Sequence, residues 1–218
     1  MRDIFIPGWI ISLVTFPGVI VHEFGHKIFC DIFKVKVHKA KFFRFGNPAG
    51  YVIHDIPDKF YKTFFIDVGP FIVNTLIAAL VFILRNNVSG FFSGVLLWLG
   101  ISIAMNAFPS SHDAKVLWAE SKKHLKQGNI SAIIGFPFSV LIMIANVLSI
   151  IWFDLFYGIG LYILVGGGPT VLPFTDRPQV FANEECGFSI NITTAWKVDY
   201  EKGSCYIIFE KGRSDIIV

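Results

Sequence analysis

His22-Glu23-Phe24-Gly25-His26 is an H-E-x-x-H motif, and residues 4–21 before it contain no charged side chain. Histidines four apart lie on one face of a helix and can hold one Zn²⁺ between them, with the intervening glutamate placed beside water on the metal. The charge-free run puts His22, Glu23 and His26 at or near membrane depth, where ionisable groups are costly and by default mark a functional site. The same five residues also arise by chance, as helix-face histidines hydrogen-bonded to neighbours. Membrane embedding argues against that origin. A glutamate and two histidines in a low dielectric need a strong compensating partner, and a divalent cation is one.

Composition agrees with a membrane protein. Of 218 residues, 54% are hydrophobic, 24 are phenylalanine and only 16% are charged. A soluble globular domain carries about 25% charged residues. The net charge of +3 is modest and gives no ground for expecting nucleic acid as a partner. Met1-Arg2-Asp3 lacks a positive leader region, and no small-residue cleavage site follows the apolar run. The segment therefore reads as a retained span and not a signal peptide.

The first span runs over about residues 4–29, with Pro7, Gly8, Pro17 and Gly18 expected to bend or interrupt it. Residues 34–58 are basic and alternate polar with apolar, punctuated by Gly46-Asn47-Pro48, which predicts a β-hairpin at the membrane interface. Residues 64–84 and 91–108 form the second and third spans, each near the ~20 residues a membrane helix needs, and the short turn between them makes an antiparallel pair. Residues 114–127 predict a polar helix. Residues 130–165 are too long for one span, so they form either one tilted helix with an interfacial extension or a hairpin turning near residues 149–154, where Asp154 interrupts.

After Gly166-Gly167-Gly168-Pro169 the character changes. Alternating segments at 188–192, 195–198 and 205–209 predict a small β-rich tail, thin for an independent core, and Ile216-Ile217-Val218 reads like a strand cut short. The expected fold class is thus a mainly α polytopic membrane protein. It has roughly four or five transmembrane helices and an interfacial hairpin over residues 1–168, then a β-rich tail over 169–218. Lys34, Lys36, Lys39, Lys41, Arg44, Lys59 and Lys62 follow the first span, and Lys115, Lys122, Lys123 and Lys126 follow the third. The positive-inside rule puts both segments in the cytoplasm, with the His26 end of span one.

Catalytic zinc takes three protein ligands and keeps one open position. Antiparallel geometry brings His112 and Asp113, just past span three, to the same side as His26, and either residue is a candidate third ligand. Ser111 or Asp113 capping a helix from Ala114 explains the same residues without a metal. Direct ligation at ~2 Å fails if Asp113 lies beyond ~8 Å from both imidazoles.

Together these residues resemble the site-2 protease family of intramembrane metalloproteases, over roughly residues 4–127. The resemblance rests on the histidine pair with its glutamate, on Gly69-Pro70 and Asn74 in span two, and on Asn106-x-x-Pro109-x-x-x-Asp113 beyond span three. It implies His22, His26 and Asp113 as zinc ligands, Glu23 as the base that activates water, and Gly69, Asn74 and Asn106 as support. Ser111, His112 and Ala114 depart from the family's proline, leucine and glycine, so His112 becomes a further candidate ligand or supporting base. The implied activity is hydrolysis of peptide bonds in or near transmembrane segments. The partners are then a membrane-protein or peptide substrate and the lipid bilayer, with the oligomeric state left open. An unwound substrate segment is expected to pair with the exposed hairpin edge. The 187–198 region has a faint similarity to the PsbP fold and carries no function.

Several residues have plainer readings. His38 and His54 sit in no ligand spacing and read as hairpin-surface side chains, and His124, in a Lys-rich polar helix, reads as solvated. Cys30 lies beside the site, with a spacing from His26 that fits a ligand less well than Asp113. Cys186 and Cys205 flank two strands and could pair if the tail lies outside the cytoplasm. The competing function class is a zinc-binding membrane scaffold or metal-handling protein without proteolysis. A transporter is weaker, since beyond the motif the spans offer few ligand groups, Asp67 among them.

Overall fold

The structure is a computed structural model that describes residues 7–166 and five strand segments at 179–183, 188–192, 197–199, 208–211 and 214–217. The chain divides into two compact units, Met1–Gly168 and Pro169–Val218.

The first unit opens with α1 (Gly8–Val14) and α2 (Phe16–Ile32), bent by 89° at Thr15. Pro17, in the first turn of α2, explains the break. A proline there fits a helix start, but it has no N–H to continue α1 and its ring crowds the carbonyl four residues back. The hairpin follows, with β1 (Val37–Lys41) antiparallel to β2 (Tyr51–His54). Its surface histidines are engaged locally: His38 Nε2 lies 2.6 Å from Asp55 Oδ1, and this bond holds the Asp55 carboxyl below its ordinary range. The His54 ring bonds the Asp55 main chain.

Then come α3 (Phe60–Arg85), α4 (Phe91–Met105), α5 (Ser111–Lys126), α6 (Ile130–Leu148) and α7 (Phe153–Val165). The central element is α3, which packs on α2, α4, α5, α6 and α7. Ala78, Val81, Phe82, Ile103 and Ala104 form one core cluster between α3 and α4. A second, of Phe60, Leu117 and Ala132, joins α3, α5 and α6. Among the described residues, two helical stretches, Phe60–Arg85 and Ile130–Ile151, are long and apolar enough to cross a membrane, or three if α1 and α2 count as one bent span. The other two apolar helices fall short of the expected spans. At 1.5 Å per residue α4 reaches about 22 Å and α7 about 20 Å, against a hydrocarbon core of about 30 Å.

Two boundaries differ from expectation for local reasons. The α4 helix stops at Met105 and not near residue 108, because Asn106 Nδ2 turns back to Ser102 O at 2.9 Å and Pro109 follows. The α5 helix starts three residues early, because its cap is Ser110 and neither Ser111 nor Asp113. The long apolar run is broken at residues 149–152, within the stretch where the hairpin reading placed its turn. A 3₁₀ turn at Ser149–Ile151 leads to Trp152 in the left-handed region at φ 62°, after which α7 packs on α4 and α3 while α6 packs on α5.

In the second unit, β3 (Gln179–Asn183) pairs antiparallel with β4 (Phe188–Ile192). Strands β5 (Lys197–Asp199), β6 (Ile208–Lys211) and β7 (Ser214–Ile217) form an antiparallel sheet in that order. The expected strands at 188–192, 195–198 and 205–209 correspond to β4, β5 and β6, the last two starting later. Strand β3 was not anticipated from the pattern. Cys186 and Cys205 lie outside the described residues, as do Gly167, Gly168 and Pro169.

Candidate metal centre

Helix α2 turns one face inward, and on it lie His22, Glu23 and His26, exposed by only 8%, 8% and 6%. The face reaches its neighbours because it also carries glycines. A methyl group on Gly25 would stand 2.8 Å from Pro70 Cα on α3, and one on Gly18 would stand 2.0 Å from Ser102 O on α4. The absence of side chains there lets α2 sit against both helices.

Asp113 arrives from the first turn of α5. Its Oδ2 lies 3.7 Å from His22 Nε2 and 3.5 Å from His26 Nε2, far inside the limit at which ligation fails. The three ligand atoms all lie within 4.8 Å of one another, a group able to hold a metal ion. Two ligand atoms, each ~2.1 Å from one metal at a tetrahedral angle, stand ~3.4 Å apart, close to the two distances observed. The capping role coexists with this placement. The Ser110 N–H donates to Asp113 Oδ2 at 2.9 Å, and the Asp113 N–H donates back to Ser110 Oγ at 3.3 Å. The cap therefore fixes where the carboxylate points.

Both imidazoles are oriented through their other nitrogen. His22 Nδ1 donates to Asn106 O at 2.7 Å, and His26 Nδ1 donates to Ile66 O at 2.9 Å. A carbonyl only accepts, so each Nδ1 carries a proton, which leaves Nε2, the nitrogen facing Asp113, as the one available to a metal. That is the arrangement a metal needs.

Asn74 and Asn106 hold the frame. Asn74 Nδ2 lies 3.0–3.2 Å from three main-chain carbonyls, those of Gly18, Ile103 and Asn106, and so ties α2, α3 and α4 together. Asn106 Nδ2 reaches Thr15 Oγ1 at 3.1 Å across the α1–α2 bend. Gly69 plays a packing part: a side chain there would strike the Phe29 ring. His112, the other candidate ligand, is exposed and lies outside the metal-binding group. One residue before Asp113 on a helix, it is turned about 100° away once Asp113 faces in.

Glu23 and His22 line a cavity of about 680 Å³, shared with Asn106, Ser110, Asn146 and the loop at 46–50. Gly50 lies so close that a methyl on it would be 2.6 Å from Glu23 Cγ. The hairpin loop thus forms a wall beside the acid. On the far side Asn146 Nδ2 donates to Pro109 O, and Ser111 Oγ donates to Asn146 Oδ1, which links α6 to the segment leading to Asp113. Cys30 is fully buried but outside the group, as is the buried Asp67.

The main-chain partners of the histidines, the wall at Gly50 and the Asn146 link were not anticipated. Pro70 held a signal for the first, since a proline inside a helix leaves the carbonyl four residues back without its donor. No family model, curated protein or solved structure matches the chain.

Proposed function

We propose that this chain is an intramembrane zinc metalloprotease that hydrolyses peptide bonds in or near transmembrane segments of membrane proteins. The observation that carries the reading is the convergence of His22 Nε2, His26 Nε2 and the Asp113 carboxylate, with His22 and Glu23 lining the adjoining cavity. Two imidazole nitrogens and one carboxylate are the donor set of a catalytic zinc site with a position left open. In this reading α4 and α7 are embedded with the longer helices as further spans of a multi-pass protein, and the basic segments put the active site toward the cytoplasm.

Bound there, zinc would lower the pKa of water toward ~7 and polarise the scissile carbonyl. The chain's own residues do the rest. Glu23, held between α2 and the Gly50 wall, takes a proton from the attacking water and passes it to the leaving nitrogen. The Asn106 and Ile66 carbonyls keep both rings in the metal-binding tautomer. An intact substrate helix hides its amides, so the substrate unwinds locally, and β1 and β2, which among the described residues pair only with each other, each offer a strand edge.

The test is metal removal. Protein reconstituted in liposomes with a single-span reporter, its helix weakened by glycine and proline, is expected to lose cleavage on treatment with a zinc chelator. Added Zn²⁺ should restore it. Cleavage that persists in the metal-free protein would contradict the proposal.

A further inference from the structure

Ile66 O and Asn106 O, the two carbonyls that accept the histidine protons, share an origin. In an α-helix the carbonyl of residue i accepts from the N–H of residue i+4. For Ile66 that position is Pro70, inside α3, which has no N–H. Asn106 is the capping residue just past the end of α4. The i+3 donor of a tightened turn is missing there because residue 109 is proline, and the i+4 donor, Ser110 N–H, is spent on Asp113 Oδ2. Ile66 O is thus released from its own helix by a proline, and Asn106 O, past the end of α4, faces a proline at the one position where a tightened turn would supply a donor. The histidine bonds to these carbonyls are 2.9 and 2.7 Å long.

We propose that Pro70 and Pro109 are positioning residues of the metal centre, each withholding a main-chain donor so that a carbonyl is left to orient one histidine. The inference rests on the metal-site reading and adds to it a reason for prolines at these places. The end of α4 does two things at once: its missing donor fixes His22, and the donor that remains fixes Asp113. Asn74 shares the Asn106 carbonyl, at 3.1 Å, and steadies it from α3.

Alanine at either position restores an N–H that competes for the carbonyl. The full chain is purified with Zn²⁺, and its affinity is read by competition with a chromophoric chelator, its site geometry by the visible spectrum of the Co²⁺ form, and its helix content and melting by circular dichroism. Pro70→Ala and Pro109→Ala are each expected to weaken zinc binding about tenfold, the loss typical when a ligand's outer partner is disturbed, and to change the Co²⁺ spectrum. Helix content should hold, since alanine suits a helix better than proline. Pro137→Ala is the control. Pro137 is also inside a helix, α6, and the carbonyl it releases belongs to Ile133, which no histidine uses. It should leave affinity and spectrum as they are.

A lactate ester at position 70, which like proline lacks the N–H, should restore the affinity that alanine loses. That rescue separates donor removal from ring packing. Wild-type affinity in Pro70→Ala and Pro109→Ala overturns the inference and leaves the metal site standing, as does an equal loss in Pro137→Ala. A wild-type chain that binds no zinc overturns both.

Discussion

Replacing Glu23 by Gln should abolish hydrolysis while the metal stays bound. Glutamine has the same shape, so it keeps the contact with Gly50 and its place on the buried face of α2. The amide takes up no proton, so both proton transfers assigned to Glu23 are lost. Loss of a general base costs about 10²–10⁴-fold in rate, which brings a slow intramembrane cleavage below detection. Glu23 is outside the ligand group, so the metal is retained through His22, His26 and Asp113. The two readouts are the cleaved reporter by mass spectrometry and zinc per chain by elemental analysis. Undiminished cleavage by Glu23→Gln would remove the proposed mechanism. A biological activity of the chain that survives the substitution would favour the scaffold or metal-handling class.

Gly18→Ala should lower stability and disturb the metal centre together. In an open helix the change from glycine to alanine stabilises by about 1 kcal/mol. Here the added methyl falls 2.0 Å from Ser102 O and 2.6 Å from Asn106 Nδ2. The first is main chain on a packed helix and cannot turn aside. Overpacking of this kind costs about 1–3 kcal/mol, and the backbone clash puts the expected loss at the upper end. Moving Asn106 also moves the carbonyl that orients His22. Thermal unfolding in detergent and zinc affinity should fall together. Gly94→Ala on α4 is the contrast, because its methyl would meet nothing within 4 Å. It should raise the melting temperature slightly and leave zinc binding alone. Equal melting of Gly18→Ala and wild type would show that α2 and α4 are not pressed together as described.

Much of this arrangement was legible because it follows from spacing along single helices. The i, i+4 histidines share a face whatever they pack against. Pro17 announced the bend at Thr15, and the alternation in residues 34–58 announced the hairpin. Asp113 was reachable because antiparallel spans return the chain to the same side. Its two readings, cap and ligand neighbour, could not be separated from sequence; the structure gives the cap to Ser110 and makes Asp113 its reciprocal partner, beside both histidines. Less legible were features set by contacts between helices. The length of α4 depends on Asn106 folding back across the bend to Thr15, a side-chain choice with no periodic signature. The break at Trp152 puts a bulky residue at positive φ, which pattern reading does not anticipate. Ile66 is an ordinary apolar residue whose contribution comes from its main chain, so composition is silent about it. Gly50 approaches Glu23 only through the hairpin's tertiary placement.

The claim on which the rest depends is that His22, His26 and Asp113 jointly hold one metal ion. Zinc content and affinity of the purified chain, compared with His22→Ala and Asp113→Ala, test it most directly. About one zinc per wild-type chain is expected, and little or none retained by either variant at equal helix content. A wild-type chain without zinc after purification in its presence would contradict the account, as would an Asp113→Ala chain that holds zinc as tightly as wild type.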